Sequence, residues 1–222
     1  MSPVVVVMLK EPVPGRVKTR LAAAVGEEEA CRIYRGLVER QLSVLPQDWE
    51  REICFAPDNA EAAMRAWLGS GWRYHAQSGG DLGERMWAAV ERNRPDAERP
   101  VILLGGDCPY VDQDIMKQCR ERLENHELVI GPSLDGGYYL LGLKKGIPEL
   151  FRNMSWSTDV VLAETLRRAG QMGISAGLLP ELEDVDEVEA WDRDERSFKF
   201  EVLSFKKLLL QERMRSLMLI LR

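Results

Sequence analysis

Four cations fall within eleven residues near the start of the chain, in Lys10-Glu11-Pro12-Val13-Pro14-Gly15-Arg16-Val17-Lys18-Thr19-Arg20. Two prolines stiffen this stretch, and Gly15 permits a sharp turn. Backbone N–H groups of a rigid loop, a helix beginning near Lys18 and converging Lys and Arg side chains together make a phosphate cradle. Gly-x-x-Lys-Thr mimics part of a nucleotide P-loop, but the first glycine of that motif is absent, so the P-loop reading is rejected. A solvated basic loop is the plainer alternative.

Four more stretches combine chemistry-bearing residues with glycine. In Gln77-Ser78-Gly79-Gly80-Asp81-Leu82-Gly83-Glu84-Arg85, paired glycines before an acidic helix start let a ligand approach the backbone, which makes Asp81 and Gly83 candidate nucleotide contacts; the same residues also make an ordinary turn and N-cap. Gly105-Gly106-Asp107-Cys108-Pro109 places a carboxylate at the end of an apolar run. An acidic residue there suits Mg²⁺ or Mn²⁺, hard cations that take oxygen ligands and bridge to phosphates, and Asp112 is the better N-cap for the helix that follows. Gly131-Pro132-Ser133-Leu134-Asp135-Gly136-Gly137-Tyr138-Tyr139 reads either as a hairpin turn or as a shaped pocket wall. Trp156-Ser157-Thr158-Asp159 reads mainly as an N-cap, with Trp156 lining that pocket. Glu183 to Glu187 gathers carboxylates where the chain can return to the site or simply turn in solvent.

The elements that must position these loops follow from hydrophobic periodicity. Val4–Leu9 is a continuous apolar run suited to a strand buried on both faces. Helical spacing follows over 27–45. Strands are expected at 52–56, 72–76 and 101–105, and helices at 59–68, 81–92 and 112–124. Strand followed by helix, repeated, calls for a parallel α/β sheet, whose ligands bind outside the carboxyl ends of the strands. The rhythm then changes. Two strands (128–132 and 138–143) flank the Gly-rich turn, and a helix (158–169), a strand (174–179) and a last helix (186–196) follow. The tail 198–222 reads as a basic amphipathic segment that packs on the domain or on a second copy, which would make a homodimer, with a membrane-surface or partner-binding helix as the alternative.

Composition narrows the function. The 222 residues are 45% hydrophobic and 30% charged, as expected of one folded domain. A net charge of −6 argues against nucleic acid as a partner, because a phosphate backbone requires a broad basic face. The four cysteines (Cys31, Cys54, Cys108, Cys119) form no C-x-x-C pair, and the first apolar run is too short for a secretory signal. They read as reduced thiols of a cytoplasmic protein. No run is long enough to span a membrane. His75 and His126 are isolated and read as structural.

Taken in order, Lys-x-Pro-x-Pro-Gly-x-x-Lys-Thr-Arg-Leu, Gly-Asp-Leu-Gly-Glu-Arg-Met, Gly-x-Asp-x-Pro, Gly-Pro-x-x-Asp-Gly-Gly-Tyr-Tyr-Leu-x-Gly-Leu and Trp-Ser-Thr resemble a bacterial family of small glycosyltransferase-A-like proteins. These transferases are associated with arsenosugar biosynthesis and with radical-SAM/selenodomain proteins, within the nucleotide-diphospho-sugar transferase superfamily. The resemblance covers roughly residues 4–195. It implies a Rossmann-like, three-layer α/β/α GT-A fold with a mostly parallel mixed sheet over 1–197. It also implies phosphate contacts from Lys10, Gly15, Arg16, Lys18 and Arg20, and a metal held by Asp107. Asp184-Val185-Asp186 resembles a late acidic element of sugar-nucleotide-forming enzymes, which brings in Asp186 as a second metal ligand; Glu187 departs from the usual Thr.

The expected reaction is metal-dependent glycosyl transfer from a nucleotide-sugar donor to a small acceptor. Asp107 holds the metal, Lys18 and Arg16 offset leaving-group charge, Asp135 orients or deprotonates the acceptor, and Gly136, Gly137, Tyr138 and Trp156 wall the acceptor pocket. Nucleotidyl transfer with pyrophosphate release is the alternative, and a non-catalytic nucleotide-binding module is a third reading.

Overall fold

A computed structural model of the protein describes residues 2–96, 98–106 and 108–183. The elements are β1 (Val4–Lys10), α1 (Thr19–Val25), α2 (Glu27–Ser43), β2 (Glu50–Ala56), α3 (Glu61–Leu68), β3 (Arg73–Ala76) and α4 (Leu82–Asn93), followed by β4 (Val101–Gly105), α5 (Gln113–Asn125), β5 (Leu128–Pro132), β6 (Tyr138–Leu143), α6 (Val161–Gln171) and β7 (Ala176–Leu178). A short 3-10 turn, Pro148–Leu150, separates β6 from α6.

The seven strands form one sheet in the order β3-β2-β1-β4-β6-β5-β7. Every pairing is parallel except the two made by β6. The expected mostly parallel mixed sheet is therefore observed, and the Gly-rich stretch at 133–137 is the turn of the β5–β6 hairpin.

The continuous apolar run of β1 is explained by its central place. Val5, Val7 and Leu9 pack into a core shared with α2 and α5, including Tyr34, Val38, Ile115 and Met116. Val4 and Val6 face the opposite way, toward Met86, Ala89 and Val90 of α4 and Ala169 of α6. Alternate residues of one strand thus bury against two helical layers.

Helix boundaries follow local chemistry. Asp112 caps α5 by accepting from the Ile115 N–H at 2.8 Å, as its position suggested. The helix expected from Thr158 instead begins at Val161, and its N-cap, Val160, makes no side-chain cap bond. Thr158 Oγ1 donates to the Ser155 carbonyl at 2.6 Å, and Ser157 takes φ 61°, so Trp156 to Asp159 is a turn. The last strand is shorter than the expected 174–179.

His75 lies 3.8 Å from the fully buried Glu52, which also meets Arg92, Arg73 (3.4 Å) and Asn93 (3.3 Å). This network and the packing of His126 on Gly177 are structural, as expected of both histidines. Among the described residues, no helix is long and apolar enough to cross a membrane. The helix expected at 186–196, the tail 198–222, and the residues Asp107 and Asp186 lie outside the described residues.

Candidate functional site

The strands that run in one direction bring their carboxyl ends to a single edge, and the start of β6 joins them there. The loops at 11–18, 77–81, 108–112 and 133–137, with Gly106 and the segment after β7, all gather at this edge. The chain order reverses between β1 and β4, which is where an open α/β sheet leaves a crevice.

The basic loop is held from beneath. Lys10 donates its N–H to Tyr34 Oη at 2.9 Å and accepts back from the same hydroxyl at 3.2 Å, while Glu11 N bonds the Ala56 carbonyl at 2.7 Å. Arg16 N bonds the Val13 carbonyl, and Val17 is buried, which pins the loop to the core. Gly15 has φ 76° and lies against the Glu27 carboxylate, where a Cβ would meet Oε2 at 2.9 Å. Arg16 and Arg20 are exposed. Lys18 adopts the left-handed conformation, φ 47° and ψ 48°, which is strained for a residue with a side chain and recurs at functional sites.

In the loop after β3, Asp81 and Glu84 form a reciprocal capping box. Glu84 N donates to Asp81 Oδ1 at 2.8 Å, and Asp81 N donates to Glu84 Oε2 at 2.9 Å. Gly83 is buried: a Cβ there would lie 2.2 Å from the Phe151 carbonyl and 2.6 Å from Trp156 Nε1. The geometry of both residues is that of capping and close packing.

Gly106 crosses directly over β1, since a Cβ on it would lie 2.2 Å from Leu9 Cδ2. Cys108 is fully buried, and its Sγ lies 3.7 Å from the Glu183 carbonyl. Tyr139 Oη donates to the Pro180 carbonyl at 3.0 Å, and Leu182 exchanges backbone bonds with Pro132 and Leu134. The segment after β7 therefore returns alongside the β4 loop. Burial pushes the Tyr139 phenol and the Cys119 thiol far up from their ordinary values.

At the hairpin, Asp135 is exposed, and its Oδ1 accepts from Ser133 Oγ at 2.6 Å and from Gly137 N at 2.9 Å. Gly136, at φ 83°, rests on the Asp159 backbone, and its carbonyl accepts from Leu162 N at 2.9 Å. Tyr138 and Trp156 meet edge to face with centroids 6.5 Å apart. Tyr138 is half-buried with its hydroxyl enclosed, and that burial pushes its phenol up against the opposing effect of Thr165, while Trp156 Nε1 is buried without a hydrogen-bond partner. The structure brings these two residues together, with Gly83 beneath the indole.

A separate open groove of about 380 Å³ runs between 153–155 and α6, lined by Met154, Val160, Glu164 and Arg167 among others; it contains none of the residues singled out from the sequence.

Comparison with known proteins agrees with this architecture. Residues 42–158 match the family described as "Uncharacterized protein conserved in bacteria (DUF2064)". A crystal structure from Desulfovibrio desulfuricans G20, provisionally named a nucleotide-diphospho-sugar transferase, is 32% identical, with 85% of this chain and 84% of that one covered and a TM-score of 0.78. The fold is also shared with the inositol-1-phosphate CTP transferase of T. maritima, at 12% identity, 86% and 91% coverage and TM-score 0.59. Rv0371C of Mycobacterium tuberculosis H37Rv, solved in complex with manganese, is similar at 17% identity, 87% and 97% coverage and TM-score 0.53. No curated protein sequence matches the chain at a significant level.

Proposed function

The chain belongs to the DUF2064 family, and on that premise we propose that it is a metal-dependent transferase that moves a glycosyl group from a nucleotide-diphospho-sugar to a small acceptor. The observation that carries the reading is that the basic loop and Gly106, which crosses over β1, lie at the carboxyl ends of paired, parallel β1 and β4. The 32% identity to a chain provisionally named for the same superfamily supports it. The finer kinship, with transferases of the arsenosugar and selenodomain type, rests on the five ordered motifs.

In this proposal Gly15 turns the loop so that Lys10, Arg16, Lys18 and Arg20 surround the diphosphate. Lys18 and Arg16 offset the charge that develops on the leaving phosphate, and the left-handed Lys18 holds its backbone ready for that task. Asp81 fixes the first turn of α4 beside the nucleotide, and Gly83 lets α4 settle on Trp156. Asp107 and Asp186, assigned on the sequence resemblance alone, would offer the oxygen ligands that Mg²⁺ or Mn²⁺ takes. When bound, the ion supplies charge neutralisation at the diphosphate oxygens.

Asp135 keeps Oδ1 in its turn and offers Oδ2 to the acceptor hydroxyl. Gly136 and Gly137 form the floor of the acceptor pocket, and Tyr138 and Trp156 back it. Residues 1–197 make up the transferase domain, with 198–222 an appended basic tail.

The crowding of four cations into one loop equally favours a triphosphate, so nucleotidyl transfer with pyrophosphate release is the second reading.

A melting-temperature screen of NTPs, NDPs and NDP-sugars, with and without Mg²⁺ and Mn²⁺, tests both. A ligand at about 100 times its Kd adds about 2.7 kcal/mol, or roughly 2–4 °C per kcal/mol for a chain of this size. Glycosyl transfer predicts a metal-dependent rise with one NDP-sugar, absent in Asp107→Ala, and release of the NDP when acceptor is present. Pyrophosphate release from an NTP would move the assignment to the second reading. If no nucleotide raises the melting temperature, neither reading stands.

A further inference from the structure

We propose that Arg85 is a second phosphate anchor at this edge, set apart from the basic loop. The proposal rests on the reading of the edge as the nucleotide site, and it begins with Gln77. The Gln77 side-chain amide spans the ends of two strands, donating from Nε2 to the Leu9 carbonyl at 3.1 Å and to the Cys54 carbonyl at 3.0 Å. Its main chain is also tied in, through an N–H to the Phe55 carbonyl at 2.7 Å. With Nε2 so used, Oε1 is left to accept from Arg85 Nη1, at 3.4 Å. Arg85 Nε in turn donates to the Asp81 carbonyl at 3.1 Å.

The guanidinium is thus oriented from two sides by neutral acceptors. Several other arginines on this fold meet carboxylates, as Arg65 meets Glu61, Arg92 meets Glu52, Arg99 meets Glu50 and Arg168 meets Glu164. Among the described residues no carboxylate pairs with Arg85. Among those residues its charge is uncompensated, and one Nη1 hydrogen and both Nη2 hydrogens are left without a partner in a planar fork. A fixed, half-buried fork without a counter-charge is complementary to an oxyanion that can take two parallel N–H bonds.

Its place fits a phosphate shared with the basic loop. Val4, Val6 and Met8 of β1 point toward the α4 layer, so strand alternation puts Lys10 on that side as well. The Gln77 amide that orients Arg85 bonds the carbonyl of Leu9, the residue before Lys10. The phosphate can belong to the donor's diphosphate or to a phosphorylated acceptor, and the chemistry of recognition is the same.

Isothermal titration separates these sources. The full chain, Arg85→Gln, Arg85→Lys and Lys18→Ala are titrated with inorganic pyrophosphate, and then with inorganic phosphate on the pyrophosphate-saturated protein. If Arg85 holds the donor, Arg85→Gln weakens pyrophosphate at least tenfold and Arg85→Lys falls between, because an ammonium keeps the charge and loses the fork. A tenfold loss confined to the phosphate step assigns the anchor to the acceptor. The ligand-free melting temperature should stay within about 2 °C of wild type, since Arg, Lys and Gln have similar helix propensities. If Arg85→Gln melts lower than that, Arg85→Lys decides. Unchanged affinity at both steps in the Arg85 variants overturns the proposal. Loss in Arg85→Gln but not in Lys18→Ala upholds Arg85 and removes the basic loop from the site, whereas the reverse removes Arg85 alone. Failure of the wild-type chain to bind pyrophosphate removes both.

Discussion

Gly136 allows the structural reasoning about the hairpin to be put into numbers. It has φ 83°, its N–H bonds the Ser133 carbonyl at 3.0 Å and its carbonyl receives Leu162 N at 2.9 Å. A methyl group there would stand 2.2 Å from the Asp159 carbonyl oxygen and 2.6 Å from Asp159 Cα, both backbone atoms that cannot rotate away. Alanine in the left-handed region costs about 1–2 kcal/mol, and forcing apart a packed contact costs about 1–3 kcal/mol more. Gly136→Ala should therefore lose about 3 kcal/mol, a fall of about 6–12 °C in melting temperature for a chain of this size. Gly173 is the control: it has φ 66° and nothing within 4 Å of its would-be Cβ. Gly173→Ala should lose only about 1 kcal/mol, the conformational part. Calorimetric melting of both variants beside wild type measures the difference. Equal losses in the two would refute the claim that the hairpin turn is seated on the loop before α6.

The buried Glu52 carboxylate should make Arg92→Leu lose about 2–3 kcal/mol in urea unfolding, less than a fully isolated charge because Arg73 and Asn93 remain beside it. Adding Glu52→Gln to Arg92→Leu should recover part of that loss, and a further loss would contradict the network. The Glu164 carboxyl is held at about 2, below its ordinary 4.5, by side-chain bonds from Arg167 and Arg168. A lowered folded value means the contribution is complete above about pH 4.5 and fades as the pH falls toward 2. Melting temperatures across that window should drop less steeply in Glu164→Gln than in wild type, and added salt should shrink the difference. All four cysteines are buried, and burial pushes the Cys54 and Cys119 thiols up. A thiol-specific disulfide reagent should therefore leave the native chain untouched for minutes and titrate all four thiols in guanidinium; a fast native thiol would contradict the packing.

Much of the architecture was legible because the signals were local. The valine run of β1 could be a strand buried on both faces with no knowledge of its neighbours. Asp112 announced a helix start by residue type and position alone. Where the reading slipped, a local rule met a tertiary contact. Ser157-Thr158-Asp159 has the composition of an N-cap, yet Thr158 turns back onto the Ser155 carbonyl and α6 waits until Val161. Gly83 looked like a place for a ligand to approach, but what approaches it is the Trp156 indole. Asp81 could be a ligand contact or a cap by sequence, and the capping box is the arrangement its carboxylate makes. Gln77 and Arg85 stood inside a quoted motif with no role attached. Their meaning depends on carbonyls 68 and 23 residues away from Gln77, which no periodicity reports.

The sequence by itself determined the element types, the order of strand and helix, and the cation-rich loop between β1 and α1. Those depend on periodicity, turn chemistry and charge, all carried by near neighbours in the chain. Only the tertiary structure decided that β6 runs against the sheet between β4 and β5, and that Glu183 comes back beside Cys108. It also decided that Arg85 stands at the edge with no carboxylate partner among the described residues. Pairing partners and counter-charges come from residues far apart in sequence, and only packing selects among the many that could have met.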